Sequence, residues 1–337
     1  MQYPNRIPPI VEPGGSYSPS RENPFVTYMD ACRAKYGSMI DPIDRFTEIF
    51  QLEENVWALR YASPSMIGGN WGYLIEGPEK ALLIDNGYGV GNHKGLCEKL
   101  VKGKEVLAAV THFHCDHAHG SHQWEKIYCY EYTADVLEYE LSQGRGCFQS
   151  IEKEGKMKLR PIYTPEDVIP YGPFQCIPLK NHARINLGGD YDIELIHMGG
   201  HAPGLSCYLD KKGRRLYTGD AVFESLQPGL RIGLDLRAKE YIPHAEYMDI
   251  RYLYEQLKAL AARSDEYDFT GDGHGSIDSD KRVVSDLRDA IEAVIADPYG
   301  YTEKIETVFG PGYIMQRGIA NCRYSDPATV LDEIGKE

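Results

Sequence analysis

Three histidines and an aspartate fall within Thr111-His112-Phe113-His114-Cys115-Asp116-His117, directly after the apolar run Val106-Leu107-Ala108-Ala109-Val110. Such a run reads as a buried strand, so the chain must build a sheet whose edge presents this heptad. In an extended segment alternate side chains share a face, which lets His112 and His114 converge on one ion. Asp116 and His117 follow where the chain must turn, within reach of a second ion beside the first. Imidazole nitrogens and carboxylate oxygens suit Zn, Fe or Mn. Single histidines are common on surfaces; this concentration at a strand end points to metal binding.

Strand signals are dense on both sides of the heptad. Asn55–Tyr61, Trp71–Glu76 and residues 81–85 alternate or run apolar around a Gly77-Pro78 turn, as antiparallel strands do. A helix is expected over about 92–102, a strand over Lys126–Tyr130 and a helix over Ala134–Leu141. A second strand group follows in Phe174–Leu179, Tyr191–His197, Leu205–Leu209 and Arg214–Tyr217. Two stripes of 3.6-residue period mark helices in Tyr247–Ala262 and Asp280–Ala296, with a short strand at 267–270 between them. Residues 25–50 suggest short helices, 303–324 a terminal hairpin, and 221–246 an aperiodic insertion of the kind that serves as a binding loop. The expected organisation is an N-terminal arm over 1–50, one α/β domain over 51–298, and a C-terminal hairpin and tail over 299–337 packed on it. An arm rich in proline packs on the body or on a second copy, which leaves a homo-oligomer open.

Composition narrows the partners. Acidic residues outnumber basic ones by 50 to 36, a net charge of −14 that opposes binding to nucleic acid. No run of 18 apolar residues is present, so no membrane-spanning helix is expected, and the first residues lack the shape of a secretory signal. Eight cysteines without a CxxC pair suggest reduced thiols and a cytoplasmic setting. A small-molecule substrate remains.

Further ligand candidates lie at later strand ends. His201 sits in Met198-Gly199-Gly200-His201-Ala202-Pro203-Gly204, Asp220 closes Leu216-Tyr217-Thr218-Gly219-Asp220, and His274 lies in Gly271-Asp272-Gly273-His274-Gly275. Glycines let each segment bend sharply toward a common edge. One residue of this kind is ordinarily a turn residue; three after successive strands suggest a shared site.

With these residues in place the chain resembles the metallo-β-lactamase-fold hydrolase superfamily, nearest in ligand set to its glyoxalase II and lactonase branch. The HxHxDH signature is matched by His112, His114, Asp116 and His117, and the later ligands by His201, Asp220 and His274 in order. Asp85 matches the buried aspartate that supports the metal loop. The resemblance runs from about residue 55 to 295. It implies an α/β chain in the four-layer αββα sandwich. It also implies two divalent ions, Zn2+ first with Fe or Mn as alternatives. One would be held by His112, His114 and His201, the other by Asp116, His117 and His274, with Asp220 bridging.

Two such ions supply a bridging hydroxide at neutral pH and polarise a substrate oxygen. The expected enzyme is a dinuclear hydrolase that cleaves a small ester, thioester, lactone or phosphodiester, with Asp116 orienting the nucleophile. Exported lactamases of this fold carry a cysteine where this chain has Asp220, and oxygen-reducing relatives carry HxExDH where it has His114. A mononuclear iron dioxygenase acting on a persulfide and a non-catalytic small-molecule sensor are the alternatives. His244 and Arg231 in the insertion are candidate substrate contacts, and Tyr88, Tyr241 or Tyr247 candidate pocket walls.

Overall fold

Apolar residues spaced for a sheet buried on both faces put Val56–Tyr61 and Asn70–Glu76 side by side, antiparallel, with only Glu76 partly exposed. The computed structural model describes residues 24–62, 69–142, 152–153, 156–157, 167, 169, 172–222, 243–307, 310–324 and 326–335. They fall into two compact units.

The first unit uses residues up to Cys129 together with 137–179 and 185–192. Its elements begin with α1 (Pro24–Tyr36), β1 (Met39–Asp41), β2 (Asp44–Glu53), β3 (Val56–Tyr61), β4 (Asn70–Glu76), β5 (Lys80–Ile84) and α2 (His93–Leu100). There follow β6 (Glu105–Ala109), the single turn α3 (Cys115–Ala118), β7 (Lys126–Tyr130), α4 (Glu131–Ser142), of which 131–136 count with the second unit, the short pair β8 (Glu152–Lys153) and β9 (Lys156–Met157), and β10 (Gln175–Leu179). Eight strands make one sheet in the order β1-β2-β3-β4-β5-β6-β7-β10. The chain runs antiparallel from β1 to β5 and parallel from β5 through β7. Parallel pairing of β5 and β6 sets Ile84 against Ala109, so both strands finish at one edge of the sheet.

Helices were expected through residue 50, and α1 is one, but residues 39–53 are strands. In β2, Phe46, Phe50 and Leu52 are buried while Arg45, Gln51 and Glu53 are exposed. That alternation, with β3 available as a partner over Thr47–Glu53, outweighs local helical preference.

Further along the chain come β11 (Arg184–Asn186), β12 (Asp192–His197), β13 (Ser206–Asp210), β14 (Arg215–Gly219), α5 (Ile250–Ala261), β15 (Phe269–Asp272), β16 (Ser279–Asp280) and α6 (Arg282–Ala296); the second unit takes everything from Ile193 onward together with 130–136 and 180–184. The six strands form one sheet in that order, with β12, β13 and β14 antiparallel and β14 parallel to β15. The 3.6-residue stripes bury Ile250, Leu253, Leu257 and Leu260 on α5, and Val283, Val284, Leu287, Ala290, Ile291 and Val294 on α6. Each large aliphatic side chain so buried stabilises the unit by about 1.5–3 kcal/mol. Asp249 caps α5 by accepting from the Arg251 and Tyr252 amides.

The tail is a three-stranded sheet rather than the expected hairpin: β17 (Glu303–Thr307), β18 (Gly310–Arg317) and β19 (Ala320–Tyr324), followed by α7 (Pro327–Ile334). Gly310-Pro311-Gly312 is paired within β18 opposite Thr307, Glu306 and Ile305, and the second reversal is made at Gly318, where φ is 50°. Two sheets, each with its own helices, are the components an αββα chain requires. Among the described residues no helix is long and apolar enough to cross a membrane. Residues 223–242, and so most of the 221–246 insertion, lie outside the described residues.

Candidate metal centre

In the first unit the site grows from the common end of β5 and β6. The Asp85 amide donates to Ala109 O at 2.8 Å, which fixes the aspartate beside the chain leaving β6. Asp85 adopts φ 61°, a left-handed conformation that aspartate tolerates better than most residues. Its carboxylate, 2% exposed, then gathers the heptad. Oδ1 accepts the Thr111 amide at 2.7 Å, and Oδ2 accepts the Thr111 hydroxyl at 2.9 Å and His117 Nδ1 at 2.8 Å. With its hydrogen committed to Asp85, the Thr111 hydroxyl accepts from His112 Nδ1 at 3.0 Å.

This network has a chemical consequence. A carboxylate only accepts, so His117 and, through Thr111, His112 both carry their proton on Nδ1. Their Nε2 atoms are left as lone pairs, the form that binds metal.

His112 and His114 meet in a bend after β6 rather than within the strand. The strand ends at Ala109, and the one-turn α3 brings Asp116 and His117 round, with the His117 and Ala118 amides donating to His114 O at 3.0 and 2.9 Å. His112 Nε2 lies 3.0 Å from His114 Nδ1, and His117 Nε2 lies 3.5 Å from Asp116 Oδ2.

The second unit makes an independent cluster. His197 ends β12 opposite Ser206 at the start of β13, and the C-terminal ends of β14 and β15 lie at that same edge. His201, Asp220 and His274 leave from these strands. His201 Nε2 and His274 Nε2 each stand 3.4 Å from the same oxygen, Asp220 Oδ2. The Asp220 side chain is 3% exposed. His274 is aimed by Asp272, whose Oδ1 accepts the His274 amide at 2.8 Å and the Gly275 amide, and whose Oδ2 accepts the Ser276 amide at 2.9 Å. Burial, only partly offset by those donors, pushes the Asp272 carboxyl up to about 7.

The spacings decide what these clusters suit. Two donors bound to one tetrahedral ion at about 2.0–2.1 Å stand about 3.3–3.4 Å apart. The separations in the first unit, 3.0 and 3.5 Å, bracket that value and those in the second, both 3.4 Å, match it; one carboxylate oxygen shared equally by two imidazoles suits a bridging ligand. The residues of each half therefore fit divalent metal.

His244, expected as a substrate contact, lies at the Tyr132 ring. It stacks on Tyr132 with ring centroids 4.0 Å apart, its Nε2 donates to Asp135 at 2.6 Å, and its φ is 61°. Tyr247 touches the same Tyr132 ring, and Tyr88 is buried. Arg231 and Tyr241 lie outside the described residues. Sequence reasoning missed Thr111, Asp272 and His197, which hydrogen-bond to His112, to the His274 amide and to Pro203 O in the segments that carry the candidate ligands. The TH pair opening the heptad and the aspartate two residues before His274 were the available signals.

A family model described as the metallo-beta-lactamase superfamily matches residues 67–301. Acyl-coenzyme A thioesterase MBLAC2 of Bos taurus is 25% identical over 170 residues, 45% of this chain and 58% of that protein. The Homo sapiens protein of the same name is 25% identical over 167 residues with the same coverage. The chain thus matches little more than half the length of these relatives. Among solved structures, DIM-1 metallo-beta-lactamase gives a TM-score of 0.51 at 17% identity, covering 73% of this chain and 97% of that one. A metallo-beta-lactamase family protein of Thermus thermophilus gives 0.52 at 18% identity, covering 73% and 82%. At such identities the likeness is one of fold.

Proposed function

This chain belongs to the metallo-β-lactamase superfamily, and on that premise we propose that it is a dinuclear metal-dependent hydrolase acting on a thioester. In this reading His112, His114 and His201 hold one divalent ion, Asp116, His117 and His274 hold the other, and Asp220 bridges them. Zn2+ is the first choice, since neutral imidazoles and carboxylates at tetrahedral spacing suit it, with Fe or Mn accepted by the same donors. The observation that carries the reading is the geometry of Asp220 Oδ2, 3.4 Å from two histidine nitrogens. Membership of the superfamily supports hydrolysis, and the likeness to acyl-coenzyme A thioesterases supports the thioester within that class.

Ions bound there would supply Lewis acidity and a water of lowered pKa. The chain's own residues do the rest. Asp85 and Thr111 keep His112 and His117 in the Nδ1-protonated form, so neither of these two must lose a proton when metal arrives. Asp116, its side chain 14% exposed, offers a carboxylate to orient the attacking water and accept its proton. Cleavage breaks the acyl carbon–sulfur bond and forms a carbon–oxygen bond from water. The thiolate leaves and takes up a proton, and Asp116 can return the one it accepted.

The test uses metal-quantified protein. Thiol release from acyl-coenzyme A of graded chain length is compared with opening of a homoserine lactone and cleavage of bis(p-nitrophenyl) phosphate. The reading expects two metal equivalents per chain and acyl-coenzyme A turnover at least tenfold above the other substrates. A single iron with dioxygen uptake on a persulfide, or preference for the lactone or phosphodiester, overturns it.

A further inference from the structure

We propose that His197 is the positioning residue of the metal loop: held between Tyr252 and the Pro203 carbonyl, its imidazole clasps residues 198–204 into the shape that aims His201. The proposal rests on the reading that His201 binds metal.

His197 is the last residue of β12 and is 2% exposed. Its Nε2 lies 2.7 Å from Pro203 O and its Nδ1 2.9 Å from the Tyr252 hydroxyl. A carbonyl only accepts, so Nε2 carries the proton, and Nδ1 of the neutral ring accepts from Tyr252. Burial pushes the imidazole down to about 4, which keeps it neutral near pH 7. The ring is therefore a fixed connector with one donor and one acceptor. Stacking on Tyr130, with centroids 4.1 Å apart and planes 15° from parallel, fixes its orientation as well.

The bond to Pro203 spans the mouth of the loop that carries His201. Inside it, the Met198 and Gly199 amides donate to Leu205 O at 2.8 and 3.1 Å, and the His201 amide donates to Gly199 O at 3.0 Å. Gly199 and Gly200 take φ 62° and 77°, and a Cβ on Gly199 would stand 2.5 Å from Tyr247 O. These positive angles let the chain double back tightly enough for His201 to emerge at the end of the sheet.

The far side of the clasp is the segment that returns from the insertion. Tyr252 lies on the first turn of α5, held by the Asp249 cap. Tyr247, just before that helix, accepts the Gly200 amide at 2.8 Å through its carbonyl, and its hydroxyl pairs with Tyr132 at 3.2 Å. The 243–252 segment thus grips the loop at two points, His197 and Gly200. Packing alone would be met by leucine or phenylalanine at position 197. Two directed hydrogen bonds across a ligand loop are a requirement of geometry, and metal sites lose roughly 10–100-fold in affinity when such outer contacts go.

Zn2+ affinity by chelator competition, and the visible spectrum of the Co2+-substituted protein, test this on the full chain with His197→Ala, His197→Gln and Tyr252→Phe. The proposal expects His197→Ala to weaken one of the two Zn2+ sites by about 10–100-fold and to alter the Co2+ bands. The other site keeps its affinity. His197→Gln, whose amide can still donate to Pro203 O, is expected to restore affinity to within a few-fold. Tyr252→Phe, which frees the ring but keeps the Pro203 bond, should fall between. If His197→Ala does not fold, Tyr252→Phe decides. Wild-type affinity and spectrum in the folded His197→Ala or, failing that, in Tyr252→Phe overturn the proposal. Equal weakening of both sites overturns it too. Absence of metal binding by the wild-type chain instead refutes the reading of His201 as a ligand.

Discussion

Replacing Asp85 by asparagine isolates the support of the metal loop from the loop itself. Asparagine is nearly isosteric with aspartate and shares its tolerance of the φ 61° that Asp85 adopts, so the backbone can stay where it is. The chemistry changes at one atom. Oδ1 can still accept the Thr111 amide, but the amide nitrogen now stands where Oδ2 accepted from the Thr111 hydroxyl and His117 Nδ1. A donor there faces a donor. His117 relieves the clash only by moving its proton to Nε2, the atom that the proposed site needs as a lone pair. Loss of an outer partner of this kind costs roughly 10–100-fold in metal affinity, or about 1.4–2.7 kcal/mol. The metal-free protein loses in addition about 1–3 kcal/mol for buried polar groups left mismatched. Chelator competition measures the first quantity, and urea unfolding of the metal-free protein the second. Wild-type Zn2+ affinity in a folded Asp85→Asn protein would refute the tautomer argument. A loss of stability alone, with affinity intact, would reduce Asp85 to a packing role.

Asp116→Ala, in protein with its metal content verified, is expected to lower kcat at least about a hundredfold in the thioester assay, because it removes a group proposed as both ligand and proton acceptor. Gly120→Ala is expected to destabilise by roughly 1–3 kcal/mol in denaturant unfolding, since its Cβ would collide with the Asn86 carbonyl, which the backbone cannot easily withdraw. His197 gives a pH dependence whose sign is fixed. Its folded pKa of about 4 lies below the usual value of 6.5, so the unfolded chain protonates first, and stability falls as pH drops from 6.5 to 4. The fall is about 3 kcal/mol in the metal-free protein, and His197→Gln should flatten that part of the urea-unfolding profile. Arg263→Ala strips the paired contacts at 2.9 and 2.8 Å from Glu194, whose carboxyl is held near 2, and should cost about 2–4 kcal/mol in the same unfolding measurement.

What the sequence made legible follows a physical pattern. Strands buried on both faces, such as β3, β5 and β14, read clearly because their apolar runs have no competing helical period. The stripes of α5 and α6 read clearly because core-facing residues repeat at helical spacing along the whole of each. The candidate ligand positions stood out because three such residues follow successive strand ends beside the heptad, although each alone would read as a turn residue. Less was visible where tertiary context decides. Residues 39–53 become strands because β3 is there to pair with. Gly310-Pro311-Gly312 carries turn residues yet lies in a ladder, since β17 accepts it. Thr111, Asp272 and His197 are ordinary residue types whose roles exist only once their partners are brought near. Sequence spacing gives no hint that His197 reaches Tyr252, which is 55 residues away.

The two units solve one problem by the same means. In the first, β5 and β6 run parallel and end together; β5 delivers the supporting Asp85 and β6 leads to the proposed ligands that it orients. In the second, β14 and β15 run parallel and end together; β14 delivers Asp220, and β15 delivers His274 with its own support, Asp272. Parallel pairing is what makes this work, because it sends two consecutive strand ends to one edge, where an antiparallel pair would separate them by a strand length. The supports differ in what they fix. Asp85 receives a side-chain proton and so sets the protonation form of His117, whereas Asp272 gathers the His274, Gly275 and Ser276 amides and so sets the path of the chain. Control of protonation is thus concentrated in the first unit, where Asp116, the proposed orienter of the nucleophile, also resides. The second unit contributes geometry: one carboxylate oxygen, of Asp220, 3.4 Å from both His201 and His274.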